Sequence, residues 1–274
     1  MIGAVIGDVI GSRWEGRRHP RTSRFLLFND KCTFTDDTVL SCAVADVLMN
    51  GGSYSEKIRE YYRRYPKAGY GSAFKKWGDG DDMPAYNSYG NGSAMRVSPI
   101  GFACDTQEDV LAIAKESAEV THDHPEGIKG AQAIASATHL AWVGYSKADI
   151  KAVVESMGYR TDIILTSEHL GFDCSCQETV PQALDAFFHS NDFESTIRSA
   201  IMMGGDSDTI AAMAGGIAHA FYGEIPDSIV KETCKRLPRD LSSILQQFMK
   251  EYVDKDFACE QQNKVQEVDR GMVF

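Results

Sequence analysis

The sequence predicts one mostly helical domain, and three observations carry that expectation. Apolar runs recur with oxygen-bearing residues before them and glycine or asparagine after them, the ordinary start and stop signals of helices. From Thr106 onward the connections between these runs are short. Stretches of alternating polarity are scarce, and Arg160 to Leu165 is about the only candidate strand. No repeat, low-complexity block or linker interrupts the 274 residues, so the domain is expected to span 1–274, its polar end 255–274 forming a poorly ordered tail.

The elements follow in order. Gly3, Gly7 and Gly11 recur every fourth residue, which clears one helix face for close approach of a second helix, with Asp8 and Glu15 travelling alongside. Asp8 reads equally as a satisfied buried acid or a site residue, and Glu15 as a surface acid or one. Residues 16–34 read as a loop. Thr35-Asp36-Asp37-Thr38 then precedes an apolar run from Val39 to Met49 that stops at Asn50-Gly51-Gly52. A further helix is expected near Ser55 to Tyr65. Residues 66–93 show neither period and read as a long functional loop. It ends in Gly90-Asn91-Gly92-Ser93-Ala94-Met95-Arg96, leading into a short helix that ends before Pro99. Helices are then expected at about 107–120, starting at Thr106 with Asp109 in its first turn, and at about 125–143, 147–156, 178–189 and 193–203. Gly204-Gly205-Asp206-Ser207-Asp208-Thr209 opens a helix almost without polar groups, and two more follow near 227–237 and 240–253.

Composition bounds the function. Hydrophobic residues make up 43% and charged residues 24%, as in a globular protein with a substantial core. A net charge of -11 lacks the basic footprint that non-specific nucleic-acid or anionic-membrane binding needs. The apolar start Met1 to Gly7 has no basic flank and is interrupted by Asp8, and no stretch reaches the roughly 18 apolar residues of a membrane helix. The seven cysteines are an odd number without a Cys-x-x-Cys pair, which suggests free thiols in a reducing compartment, the cytoplasm by default.

The chemistry concentrates in two blocks. Thr35-Asp36-Asp37-Thr38 and Asp206-Ser207-Asp208-Thr209 each set two carboxylates and flanking hydroxyls at the start of an apolar helix. Capping needs one such residue, and each block has more. If the two helix starts meet, four carboxylates repel one another and take up protons unless divalent cations sit among them. All donors are oxygens, which suits magnesium, manganese or calcium rather than zinc. The two glycines at 204 and 205 read as clearance for that approach. Gly90-Asn91-Gly92-Ser93 can expose backbone N–H groups to a phosphate, although such a run is also a common turn. In Thr121-His122-Asp123-His124, one histidine is expected to contact a substrate and the other to partner Asp123. Cys174-Ser175-Cys176 reads as a pair of buried or partly buried thiols.

Five blocks occur in order: Gly7-Asp8-x-x-Gly11-x-x-x-Glu15, Phe34 to Thr38, Asn91 to Arg96, Thr121-His122-x-His124 and Gly204 to Thr209. Together they resemble the ADP-ribosylglycohydrolase family, over residues 2 to about 222. The resemblance implies a compact all-α orthogonal bundle with a cleft holding a binuclear magnesium or manganese site. It implies Thr35, Asp36, Asp37, Asp206, Asp208 and Thr209 as ligands, with Asp208 between the two ions and Glu15 as ligand or general acid–base. Gly90, Asn91, Gly92, Ser93 and Met95 would hold the diphosphate and ribose, His124 (or His122) the ribose, and Tyr86 and Tyr89 would lie near the adenine. The implied substrate is an ADP-ribosylated protein or a small ADP-ribose adduct, cleaved at the glycosidic bond with Glu15, Asp36 and Asp208 as the catalytic groups. A two-metal phosphoesterase and a non-catalytic ADP-ribose-binding protein are the alternatives the residues leave open.

Overall fold

A computed structural model describes residues 1–16, 19–161 and 172–259. Among them are thirteen α-helices, one 3-10 turn and no strand. The helices are α1 (Ile2–Gly11), α2 (Asp36–Asn50), α3 (Tyr54–Arg64), α4 (Ser72–Asp79), α5 (Ser98–Ala103), α6 (Gln107–Glu119) and α7 (Pro125–Trp142). They continue with α8 (Lys147–Ser156), α9 (Cys176–Phe188), α10 (Phe193–Met203), α11 (Ser207–Tyr222), α12 (Asp227–Cys234) and α13 (Arg239–Tyr252).

The bundle is organised around α11. Every residue from Ser207 to Ala220 is buried, as expected of a helix that is apolar all round, and α1, α7, α9 and α10 pack against it. All ten residues of α1 are buried too. The glycine face predicted from the sequence is the reason α1 fits. A Cβ at Gly3 would stand 2.2 Å from the Gly215 carbonyl oxygen, at Gly7 2.0 Å from that of Ala211, and at Gly11 2.5 Å from the Cα of Asp208. The backbones of α1 and α11 are in direct contact along that line.

Most helix starts obey local rules. Thr106 accepts the Asp109 backbone N–H at α6, and Ser146 and Asp192 close capping boxes at α8 and α10. Four expectations need correction. The presumed loop 66–93 contains α4, whose Phe74 and Trp77 are buried one turn apart. Pro99 opens α5 at its first turn instead of stopping a helix, where a missing N–H costs nothing. Gly204 and Gly205 have positive φ, +77° and +68°, and a Cβ at Gly204 would meet His19, so they serve the turn between α10 and α11, with no clearance role for α2. Cys234 and Cys259 are disulfide-bonded, so the free-thiol reading holds only for Cys32, Cys42, Cys104, Cys174 and Cys176. Most of the suggested strand and of the suggested tail lie outside the described residues. Within the described residues no helix is long and apolar enough to cross a membrane.

Candidate active site

The starts of α2 and α11 meet under a cleft of about 430 Å³. The turn before α2 begins at Thr35, whose side chain accepts the Asp37 backbone N–H at 3.4 Å. α1 adds a second anchor. The Asp8 carboxylate accepts hydrogen bonds from the Thr35 N–H (2.9 Å), the Thr35 hydroxyl (2.7 Å), the Thr38 N–H (3.1 Å) and the Thr38 hydroxyl. An acid from one helix thereby caps the N-terminus of another, the end that favours negative charge.

The carboxylates fall into two overlapping groups. Oxygens of Asp8, Asp37 and Asp208 lie within 4.8 Å of one another, and so do those of Glu15, Asp206 and Asp208. Asp208 belongs to both. Asp36 lines the same cleft, with its backbone N–H held by the Ala68 carbonyl at 2.7 Å. One oxygen of Asp37 accepts the Thr209 hydroxyl (3.2 Å) and lies 3.3 Å from the Thr35 hydroxyl oxygen; its other oxygen, and one oxygen of Asp208, are buried without a hydrogen-bond partner. Asp206 accepts the Asn91 side-chain amide at 2.7 Å.

Such crowding is unfavourable for bare charges. Burial raises the Asp8 carboxyl against the four hydrogen bonds that favour its ionised form. Burial, then Asp8 and Asp36, raise Asp37 well above the usual carboxylate range, and burial, then Asp37 and Asp206, do the same for Asp208. Asp36 is pushed up to about 8 by burial and by Asp8, Asp206 and Glu15. Protons or cations must therefore occupy this floor. The donor set is all oxygen, with two buried carboxylate oxygens unsatisfied, and it fits a hard divalent cation.

Of the residues singled out from sequence, Glu15, Asp36, Asp37, Asp206, Asp208 and Thr209 line the cleft, joined by Gly90, Asn91, Gly92 and Met95. Others sit elsewhere. The Thr35 hydroxyl is turned to Asp8 and Asp37. Ser93 is buried and donates to the Gly127 carbonyl at 2.7 Å. Tyr89 is 54% exposed, edge-on to the His124 ring. His124 caps α7 by accepting the Glu126 backbone N–H at 3.1 Å, while Asp123 accepts the Asn87 backbone N–H at 2.7 Å. The expected pairing of a histidine with Asp123 is not present, and His122 is the ring at the cleft.

Tyr86, expected near the adenine, does line the cleft, and sequence reasoning passed over two further lining groups, Ser88 from the long loop and Cys174. Cys174 is exposed as a residue while its sulfur is partly buried, within the expectation of a buried or partly buried thiol, and that burial together with Asp206 raises its pKa. An antiparallel bridge, with the Asn91 N–H donating to the Cys174 carbonyl (2.7 Å) and the Cys176 N–H to that of Tyr89 (3.0 Å), holds this wall to the Gly90 turn.

Fold and site together define a helical protein whose cleft floor is a cluster of carboxylates from three helix ends and the turn after α1. Comparison with known proteins gives the family: residues 1–258 match the ADP-ribosylglycohydrolase family, and the chain belongs to it. It is 28% identical over 312 residues to ADP-ribosylhydrolase ARH3 of Gallus gallus (82% of this chain, 84% of that protein). It is 26% identical to the Homo sapiens ARH3 (83% and 86%). It is also 28% identical to the ADP-ribosylarginine hydrolase Tri1 of Pseudomonas putida (81% and 69%). A solved structure titled "ADP-ribosylglycohydrolase-related protein complex" superposes with a TM-score of 0.64 at 24% identity, covering 89% of this chain and 93% of that one, a likeness of fold.

Proposed function

We propose that this protein hydrolyses the glycosidic bond between ADP-ribose and an acceptor, a protein side chain or a small adduct, with two divalent cations, magnesium or manganese, on the carboxylate floor. The observation that carries the reading is the pair of three-carboxylate groups sharing Asp208 at the base of the cleft. Asp8, Asp37 and Asp208 would hold one cation, and Glu15, Asp206 and Asp208 the other, with Asp36 and Thr209 beside them. Bound cations supply Lewis-acid charge that orients ribose hydroxyls and lowers the pKa of water.

The chain's own groups do the rest. Cleavage breaks the bond from the anomeric carbon to the acceptor atom; water adds its oxygen to that carbon, and a proton goes to the departing acceptor. The oxocarbenium-like transition state is stabilised by nearby carboxylates. Glu15 is the exposed member of the set, so it can exchange its proton with solvent, and we assign it the transfer. Gly90, Gly92 and Met95 line the wall that would receive the diphosphate and ribose. Tyr86 stands where an adenine would stack, and His122, in place of His124, is the ring that would meet the ligand.

The test combines product and metal. Arginine-, serine-, thymidine- and guanosine-linked ADP-ribose are incubated with the protein and the product is identified by mass. Free ADP-ribose is expected; AMP with ribose phosphate would instead mark a phosphoesterase. Asp36→Asn and Asp208→Ala should each lose hydrolysis and cation-dependent thermal stabilisation together. Turnover by either variant after chelation would sink the two-cation reading.

A further inference from the structure

We infer that Arg96 and Thr121 are positioning residues that lock His122 as the tautomer protonated on Nε2, so that the cleft wall presents a neutral N–H donor to an oxygen acceptor of the ligand. The inference rests on the reading that ADP-ribose occupies the cleft, and it concerns two residues that do not themselves line it.

The relay begins at Arg96, which is fully buried. Its Nη2 donates to the Ser117 carbonyl (2.5 Å) in the last turn of α6 and to the Thr121 hydroxyl oxygen (3.1 Å). The Ser117 contact sets the guanidinium at a helix C-terminus, where a cation is favoured. Thr121 is also fully buried, and its oxygen lies 2.7 Å from His122 Nδ1. A guanidinium can only donate, so the Thr121 oxygen accepts from Arg96. Its single hydroxyl hydrogen then has one partner available, His122 Nδ1. The reverse arrangement would aim two N–H groups at one oxygen and leave a buried hydroxyl hydrogen unpaired, which folded proteins avoid. With Nδ1 accepting, the ring proton must be on Nε2.

Nε2 points at the ligand wall. A Cβ at Gly92 would stand 3.0 Å from it, and one at Gly90 3.6 Å, so the missing side chain at Gly92 keeps the donor open to the cleft. Tyr86 flanks the ring, with centroids 5.9 Å apart. Burial, then the Arg96 charge, holds the His122 pKa well below the usual histidine range. The ring is therefore a neutral, directional donor and adds no charge to the wall. A phosphate oxygen or a ribose hydroxyl oxygen could accept from it, the anionic phosphate oxygen being the stronger acceptor.

Two measurements on the full chain decide the matter. Nitrogen-15 spectra of histidine-labelled protein, with the His122 signal assigned by its loss in His122→Gln, should show Nε2 protonated and Nδ1 bare at neutral pH. Calorimetry should show ADP-ribose binding about tenfold weaker in Thr121→Val, the worth of one hydrogen bond, with a mixed tautomer spectrum. Thr121→Ser, which keeps the hydroxyl, should restore both. A wild-type spectrum with the proton on Nδ1 overturns the relay whether or not ADP-ribose binds. So does Thr121→Val with unchanged spectrum and affinity. A correct tautomer in a wild-type protein that binds no ADP-ribose overturns the substrate reading and leaves the relay standing.

Discussion

Replacing Gly7 with alanine puts a number on the contact between α1 and α11. Inside a helix this exchange ordinarily stabilises by about 1 kcal/mol. Here the new Cβ would stand 2.0 Å from the Ala211 carbonyl oxygen, 2.3 Å from its carbon and 2.7 Å from the Ala212 nitrogen. Ordinary van der Waals contact begins at 3.4 Å, so the helices must part by roughly 1.4 Å at that point. Overpacking a tight core costs about 1–3 kcal/mol, and the struck atoms are backbone that cannot rotate away, which places this case at the upper end. The clash outweighs the propensity gain by about 2 kcal/mol. In a chain of this size that lowers the melting temperature by about 4–8 °C. Asp8 and Asp208 ride on the two helices that separate, and a displacement of about 1 Å at a catalytic centre costs about a hundredfold in rate. Gly3→Ala supplies the contrast. Its Cβ would meet the Gly215 oxygen at 2.2 Å and the Cβ of His219, at the far end of α11. Circular dichroism melts should show both variants destabilised, and initial rates should show Gly7→Ala far more impaired than Gly3→Ala. A Gly7→Ala protein as stable as wild type, or equal loss of rate in the two variants, would refute the reasoning.

Two further outcomes follow from the carboxylate floor. In the cation-free protein Asp36 titrates at about 8 in the folded state and near 4 in the unfolded chain. Its contribution to stability is full below pH 4 and is lost as pH rises through 8, with Asp8, Asp37 and Asp208 shifted in the same direction. Melts in chelator should fall from pH 5 to pH 8, and added manganese should raise the melting temperature more at pH 8 than at pH 6; a flat or rising chelator profile contradicts this. Asn91→Leu keeps the number and branching of side-chain heavy atoms but removes the 2.7 Å hydrogen bond to Asp206. A hydrogen bond to a charged group is worth about 1.5–3 kcal/mol, so manganese titration by calorimetry should show at least about tenfold weaker binding, and unchanged affinity would mean that Asn91 does not hold Asp206.

Helices announced by a cap and an apolar run were legible along the chain, as at Thr106 for α6 and Thr35 for α2. α4 escaped because it is only eight residues long, its start and stop are both glycine, and its buried face is little more than Phe74 and Trp77. Pro99 carries two opposite meanings, helix stop and first-turn residue, and only the surroundings of Val97 and Ser98 choose between them. The carboxylate blocks were readable because each holds more acid than a cap can use. Asp8 was harder: its partners, Thr35 and Thr38, are remote in sequence, and nothing local signals them. His122 and His124 are two residues apart, and no periodicity governs the short turn before α7, so their division into cleft ring and helix cap is a tertiary fact. The disulfide is similar, since Cys234 and Cys259 are 25 residues apart with no spacing motif between them.

The capping of α2 by Asp8 ties the centre to the order in which the chain can assemble. A cation held by Asp8, Asp37 and Asp208 would be held by segments spread from residue 8 to residue 208, so no fragment shorter than that span can own the site. Those contacts close very long loops, whose entropy must be spent before any ligand bond is gained. An ion at this site would therefore bind the finished fold and not its parts, and free cation above its dissociation constant would add to stability by mass action alone. Under the proposed function, cation supply would then set how much folded protein persists as well as how fast it turns over.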